Sequence, residues 1–203
     1  MTFLDTILDE LLKIFKKNGI DAYTEEELIK QLDIRATTFQ ELFPNRVEMV
    51  NKVIRYNNEL QKIEHARLLV NAQNPIEEIV LLLKDGIREL QLVSPQYFRD
   101  IQQNYPEAWK IGLEHLNTYS YHQLSEILNN GIVEGLFRKD INIQLVVKII
   151  LEQIFLVLNP AAFPPEKFDT SEVFRSTYLY YIRGLCTEKG GRMAEEFFSK
   201  SRL

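Results

Sequence analysis

The stretch from Thr24 to Phe43 constrains the fold of this chain more than any other segment. Thr24 and Glu27 have the spacing of a reciprocal capping box, which starts a helix, and leucines four residues apart give that helix one apolar face. Asp33 predicts a turn, since aspartate tolerates left-handed backbone better than most residues other than glycine. A second short helix follows, and Pro44 ends it because proline cannot continue a helix interior. The stretch therefore predicts two short helices joined by a tight turn.

The second of these helices has an inward side and an outward side. The residues predicted to face the core are Phe39, Leu42 and Phe43. Those predicted to face outward are Ala36, Thr37, Gln40 and Glu41. Two helices joined by a turn of about three or four residues form the helix-turn-helix motif, whose second helix enters the major groove of DNA.

Three features around this motif match a family of bacterial regulators. The first helix ends in Phe15-Lys16-Lys17-Asn18-Gly19-Ile20, which is an aromatic residue, three polar residues, a glycine and an apolar residue. Thr24 then precedes the second helix. Asp33–Arg46 follows, without a gap, the pattern G-V-S-x-x-T-x-Y-x-x-F-x-S/N-K/R of the family's recognition segment. Ile7–Arg55 therefore resembles the DNA-binding domain of the tetracycline-repressor (TetR) family.

The resemblance implies an all-α protein made of two domains. Residues 1–46 would be a three-helix DNA-binding domain, and residues 47–203 a larger helical domain for effector binding and dimerisation. The implied partners are double-stranded DNA with a palindromic operator, a small-molecule effector and a second copy of the chain, and the implied role is that of a repressor. The residues expected at the DNA are Thr24, Arg35, Ala36, Thr37, Thr38, Gln40, Glu41 and Arg46.

Several departures from the family pattern favour a second hypothesis. Asp33 replaces the usual glycine, Arg35 replaces a capping serine, and Gln40 replaces a phosphate-contacting tyrosine. Residues 1–46 hold nine acidic and six basic side chains, whereas surfaces that bind phosphates are normally basic. The alternative is a TetR-like fold that has weakened or lost DNA binding and acts as a ligand- or protein-binding module.

Helical periodicity continues through the rest of the chain. A long helix is predicted from near Asn45 toward Val70, and Pro75, Pro95 and Pro106 are each placed to open a further helix. The pattern predicts about nine or ten helices and no convincing run of strands. Apolar segments are too short or too interrupted to span a bilayer, and a single cysteine among 203 residues suits a reducing compartment. We therefore expect a cytoplasmic protein that does not enter the membrane.

Two late helices are apolar on more than one side, over residues 141–158 and 171–186. A helix that is apolar nearly all round is buried on several sides. One interpretation is two central core helices. The other is an interface in which both helices pair with their copies across a two-fold axis, as paired recognition helices require. The residues predicted at this interface are Leu145, Ile149, Phe174, Tyr178, Tyr181 and Ile182.

Aromatic and histidine side chains are dense between Tyr97 and His122. Small-molecule pockets are largely apolar and aromatic, with a few placed polar groups. These rings either fill the core or surround a flat or apolar effector. The residues predicted to bind such an effector are Trp109, His115, Tyr119, His122 and Phe155.

Catalytic and metal-binding patterns are missing from the sequence. His115 and His122 are seven residues apart, or about 10.5 Å along a helix, so they do not share a metal ion. The sequence contains no P-loop, G-x-S-x-G or glycine-rich dinucleotide turn. We expect a protein that is not an enzyme and that carries no metal or cofactor.

Overall fold

The computed structural model describes residues 2–201, with side chains described for residues 2–197. The helices are α1 (Phe3–Asn18), α2 (Glu25–Leu32), α3 (Ala36–Leu42), α4 (Arg46–Leu69), α5 (Pro75–Leu92), α6 (Pro95–Asn104), α7 (Pro106–His115), α8 (Tyr121–Val133), α9 (Ile143–Val157), α10 (Thr170–Leu185) and α11 (Glu188–Ser201). A π-helical turn, Leu116–Ser120, joins α7 to α8. Counting that continuous run as one helix, the described chain has ten helices, so the all-α prediction is confirmed.

Helix boundaries fall where the sequence provides capping side chains. Thr24 accepts a hydrogen bond from the Glu27 amide and the Glu27 side chain bonds back, which confirms the predicted capping box. The three prolines predicted to open helices stand at the first positions of α5, α6 and α7, where the missing amide hydrogen is not needed. Asn45 caps α4 by accepting from the Glu48 amide at 2.9 Å.

The chain divides into two compact units. Unit 1 comprises the described residues up to Ile63 together with Leu92–His115, and unit 2 comprises Glu64–Gln91 and the described residues from Leu116 onward. These units are defined by compactness, and the predicted functional boundary between residues 46 and 47 stays a prediction.

Unit 1 is built around aromatic and aliphatic side chains of α1, α3 and the first half of α4. Phe15 and Ile20 are fully buried, and Phe39 and Phe43 pack edge to face with ring centroids 5.2 Å apart. Residues from α6 and α7 complete the same core; they are Tyr97, Ile101, Tyr105, Ala108 and Ile111. The segment between Leu92 and His115 therefore folds with the helix-turn-helix.

Unit 2 packs one side of α5, α8, α9 and α10 into a second core. Its central residues are Ile76, Ile79, Val80, Leu128, Phe137, Val147, Leu151, Tyr178 and Ile182. Two backbone hydrogen bonds connect the segment before α11 to this core. The Arg138 amide donates to the Leu185 carbonyl at 2.9 Å, and the Thr187 amide donates to the Leu136 carbonyl at 3.0 Å. None of the helices described is both long enough and apolar enough to cross a bilayer.

Candidate DNA-binding surface and associated sites

The turn between α2 and α3 has the geometry that the sequence predicts. Asp33 ends α2 with φ 50° and ψ 47°, which is left-handed backbone. Its amide donates to the Lys30 carbonyl at 3.3 Å, and the Ile34 amide donates to the Ile29 carbonyl at 3.4 Å. Aspartate therefore does here what glycine does in the family pattern, since it accepts the left-handed conformation at a moderate cost.

One side of α3 is anchored and the other is open. Phe39 and Phe43 are buried, while Leu42 and Thr38 are half-buried. The side chains of Ala36, Thr37, Gln40 and Glu41 are exposed, as predicted. The short helix is thus held by two aromatic rings. Its exposed side presents hydroxyl, amide and carboxylate groups together with the methyl group of Ala36. Such groups suit hydrogen bonds to base edges.

Arg35 precedes α3 at the N-cap position and makes no side-chain capping bond. Its side chain is exposed and has no hydrogen-bonding or ionic partner among the described residues. A guanidinium that is free at the edge of a helix-turn-helix is suited to a DNA phosphate. The contact of Arg35 with DNA stays a prediction.

Arg46 has a different role from the one expected. Its Nη2 donates to the carbonyl oxygens of Ile20 and Tyr23 at 2.6 and 2.9 Å, and its Nε donates to the Tyr105 hydroxyl at 2.9 Å. Asp21 lies 3.5 Å from Nε. These bonds from Nε and Nη2 hold the loop before α2, and the phosphate contact expected of Arg46 stays a prediction.

Helix α6 and the residue that follows it also hold the loop between α1 and α2. The carboxylate of Asp100 is buried and accepts hydrogen bonds from the amides of Ile20 and Asp21 at 2.7 and 3.2 Å. The Tyr105 hydroxyl donates to Asp21 at 2.5 Å. Burial and this bond to Asp21 raise the pKa of Tyr105 to about 12, so the phenol stays protonated. The loop between α1 and α2 is therefore held by buried polar groups as well as by apolar packing.

This network was not predicted from the sequence. A signal was present, because Asp100 occupies an inward position of α6 between Tyr97 and Ile101. A carboxylate on the buried side of an amphipathic helix needs hydrogen-bond donors. The sequence alone does not identify those donors, which are backbone amides about 80 residues away in the chain.

The basic side chains of unit 1 are unevenly available. Lys13 lies 2.8 Å from both Asp9 and Glu10, and these bonds raise its pKa. Lys52 donates to the Leu42 carbonyl at 2.7 Å and so caps the end of α3. Six exposed bases have no ionic partner among the described residues; they are Lys17, Lys30, Arg35, Arg55, Arg99 and Lys110. The acidic total of the segment thus leaves a few cations for phosphates.

The predicted effector residues fall into both units. His115 is buried in unit 1, with Nε2 2.7 Å from the Gln61 side-chain oxygen, and Trp109 packs against the unit 1 core. In unit 2, Tyr119 and Phe155 are half-buried and His122 is exposed. Each residue has a definite place in its own unit. The shared pocket stays a prediction.

The predicted interface residues separate by burial. Tyr178 and Ile182 are buried in the unit 2 core, and the Tyr178 hydroxyl donates to the Ile150 carbonyl at 2.7 Å. We therefore correct the prediction for these two residues, because a helix that is apolar on several sides directs some of them inward. Phe174 and Tyr181 are half-buried.

The outer side of α9 is still apolar. Leu145 is 57% exposed and Ile149 is 37% exposed. Leu156, which follows on the same stripe of α9, and Tyr180 on α10 are also exposed and were not predicted. Apolar side chains repeated along one helix stripe mark a surface that is suited to a protein partner. The interface at Leu145 and Ile149 stays a prediction.

Comparison with known proteins gives a likeness in fold without a likeness in sequence. No protein-family model matches the chain, and no curated protein matches it. Among solved structures, a putative transcriptional regulator from Saccharomonospora viridis in complex with choline has a TM-score of 0.73 at 14% identity, covering 91% of this chain and 98% of that one.

Two further solved structures agree. A TetR-family transcriptional regulator from Agrobacterium tumefaciens has a TM-score of 0.69 at 15% identity, covering 91% of this chain and 97% of that one. The transcriptional regulator FadR from Bacillus subtilis, in complex with stearoyl-CoA, has a TM-score of 0.67 at 16% identity, covering 91% and 100%. The fold of this chain is that of TetR-family transcriptional regulators.

Proposed function

We propose that this chain is a TetR-family transcriptional repressor that binds a palindromic operator as a homodimer and is released by a small, largely apolar or aromatic effector. The observation that carries the proposal is the anchored helix α3. Its two buried rings fix the helix, and its exposed side chains form a surface for base edges. This helix lies in a fold whose solved examples include transcriptional regulators.

Base contacts are assigned to the exposed face of α3. Thr37 and Gln40 carry the hydroxyl and amide groups that pair with base edges, and Ala36 offers a methyl group for contact with thymine. Glu41 can accept a hydrogen bond from cytosine N4. Thr24, Thr38 and Arg35 flank this face, and Arg35 supplies a phosphate contact.

The homodimer is proposed from α9 and α10. A dimer that reads a palindrome needs two recognition helices at half-sites about 34–36 Å apart. The exposed Leu145, Ile149 and Leu156 supply an apolar stripe for an isologous contact, in which the same surface of each copy meets its equivalent. Phe174 and Tyr181, which are half-buried, would lose their remaining exposure there.

An effector is proposed from the aromatic side chains and from two related structures. Those regulators were solved with choline and with stearoyl-CoA. Tyr119, His122 and Phe155 in unit 2, and Trp109 and His115 in unit 1, are the proposed effector residues. An effector changes operator affinity only if it binds the DNA-competent and DNA-incompetent states with different affinities.

The acidic N-terminal segment favours a second candidate function. A TetR-like protein that no longer binds DNA strongly would act through its ligand or through another protein. The excess of acidic side chains in residues 1–46 and the glutamine at position 40 support this alternative.

In-vitro selection of DNA from a random library by the purified full-length protein separates the two candidates. The regulator is expected to enrich a palindrome with half-sites about one helical turn apart, and its affinity should fall steeply with added salt. Failure to enrich any sequence at low salt, from protein shown to be folded, would favour the non-DNA-binding alternative.

A further inference from the structure

A buried polar cluster lies inside unit 2, and the proposed function uses none of its residues except Tyr119. It joins the end of α4, the middle of α5 and the π-helical turn with the start of α8. His65 on α4 is 8% exposed and Asp85 on α5 is 5% exposed. The Nε2 atom of His65 lies 3.7 Å from Oδ2 of Asp85. Ionisable groups this deeply buried are unusual unless they are paired.

Hydrogen-bond polarity determines which imidazole nitrogen carries the proton. The Gln123 amide nitrogen donates to the Tyr119 hydroxyl oxygen at 3.1 Å. The Gln123 oxygen therefore faces Nδ1 of His65, at 2.9 Å. With the Gln123 amide in this orientation, its oxygen accepts from Nδ1–H of the neutral ring. Nε2 then carries a lone pair, and it faces the carboxylate of Asp85.

This arrangement places two acceptors opposite each other in the neutral state. A proton added to Nε2 would remove the mismatch and supply an N–H donor aimed at Asp85. The bond from Nδ1 to Gln123 would be unchanged, since both ring nitrogens of an imidazolium are donors. A single proton thus changes the contact between α4 and α5 from repulsive to attractive.

Charged side chains surround the pair of His65 and Asp85. Arg88 pairs with Asp85 and lies 3.3 Å from Glu64, and Glu89 lies 4.0 Å from Arg88. Hydrogen bonds from Arg67 hold the pKa of Glu64 at about 2. Burial raises the pKa of Asp85, against the opposing effect of Arg88 and His65.

His65 is the group of this cluster that gains a positive charge when it takes up a proton. Burial lowers the pKa of His65, and this effect outweighs the bond to Gln123 and the attraction of Asp85. The added proton is consequently taken up below the ordinary histidine value of about 6.5.

We propose that His65 is a proton switch in unit 2, in which protonation of Nε2 forms a charged hydrogen bond to Asp85 and draws the ring toward α5. The ring of Tyr119 stacks on His65 with centroids 6.0 Å apart. A movement of the His65 ring therefore displaces the Tyr119 ring and the π-helical turn that carries it. Such irregular turns are frequent at functional sites. The conformation of unit 2 then depends on pH as well as on any effector.

Histidine side-chain NMR of the full-length, ¹⁵N-labelled protein tests the switch. The chain has three histidines, His65, His115 and His122, and a His65→Gln variant assigns the signal of interest. We expect His65 to be the Nδ1–H tautomer at pH 7.5 and to titrate below pH 6.5, with Tyr119 resonances following the same curve. His122, which is exposed, is the internal reference for direct solvent effects.

Asp85→Asn supplies the second readout. Removing an opposite charge at this distance should lower the His65 midpoint by about one pH unit or more. The proposal is overturned by an Nε2–H tautomer in the wild-type protein, by a midpoint at or above 6.5, or by an unchanged midpoint in Asp85→Asn. The tautomer measurement requires no variant, so it decides the matter even if Asp85→Asn fails to fold.

Discussion

Two arginines at the ends of the recognition segment have opposite environments. Arg46 matches the family pattern, but its guanidinium donates hydrogen bonds to Ile20, Tyr23 and Tyr105. Arg35 departs from the pattern, yet its side chain is exposed and without a partner among the described residues. A matched residue type therefore does not by itself assign a role; what the guanidinium already binds decides whether it can bind a phosphate.

The first prediction separates these two arginines. Arg46→Ala should lower the free energy of unfolding by about 2–3 kcal/mol, because it leaves buried carbonyl oxygens without a charged donor. Arg35→Ala should change that free energy by less than about 0.5 kcal/mol, as surface substitutions usually do. Chemical denaturation measures both. Equal effects on stability would contradict the assignment.

The same pair predicts a difference in DNA binding. Arg35→Ala should weaken binding to specific and random DNA alike and reduce the slope of log K against log salt by about one. Fluorescence anisotropy over a range of salt concentrations measures this slope. An unchanged slope would show that Arg35 does not contact a phosphate.

Gln40 is predicted to read a base. Gln40→Ala should reduce discrimination at one operator position by about 1–3 kcal/mol and leave affinity for random DNA nearly unchanged. Competition binding with single-base operator variants measures this difference. Gln144→Ala, which removes an exposed glutamine of α9, is the matched control. Equal losses on all sequences would show that Gln40 does not act as a reader.

The buried histidine predicts how stability depends on pH. The pKa of His65 is lowered in the folded protein, so the folded state binds fewer protons than the unfolded state below about pH 6.5. Its contribution to stability is therefore present above this pH and is lost as the pH falls toward the folded-state pKa. His65→Gln should flatten the stability profile over this window, measured by denaturation from pH 7.5 to 5. Parallel profiles for the two proteins would contradict the prediction.

Among the helices, α6 holds the loop between α1 and α2 in place. It supplies Asp100 to two amides of the α1–α2 loop, and the Ser94 amide just before it donates to the Lys16 carbonyl at 2.7 Å. Gly19 allows this close approach with φ 95° and ψ 161°. A Cβ there would lie 2.7 Å from Gln96 Cγ and 2.8 Å from Asp100 Oδ2.

Gly19→Ala should therefore destabilise the protein. Backbone in this region is essentially restricted to glycine and costs other residues about 1–3 kcal/mol. The side-chain clash with α6 adds to this cost. Gly112→Ala is the matched control, because Gly112 is inside α7 and nothing lies within 4 Å of its added Cβ. That change should stabilise the helix by about 0.5–1 kcal/mol. Changes of the same sign in denaturation experiments would refute the explanation.

At the scale of the whole molecule, the proposed dimer depends on the apolar stripe of α9. Leu145→Glu combined with Ile149→Glu should give a monomer, because both side chains are exposed within one chain and would become buried charges at the interface. Sedimentation velocity at micromolar concentration measures the change. Val70→Glu, at an exposed site in the loop after α4, should leave the dimer intact. A wild-type protein that sediments as a monomer would end the dimer proposal.

The helices and most of their ends could be predicted from local sequence signals. Capping side chains, prolines and the left-handed Asp33 act through neighbours a few residues away, so their effects are readable without the fold. The same local reasoning correctly divided α3 into a buried and an exposed face, because a helix of known period has only two sides to assign.

Which polar groups meet depends on the folded chain. The hydrogen bonds of Arg46 with Tyr105 and of Tyr178 with Ile150 could not be predicted from the sequence. Asp100 and the pair of His65 with Asp85 depend on atoms 20 to 80 residues apart, as the separations in the chain show. Hydrogen bonds and burial are set by distance in space, and local periodicity carries no information about residues that only the folded chain brings together.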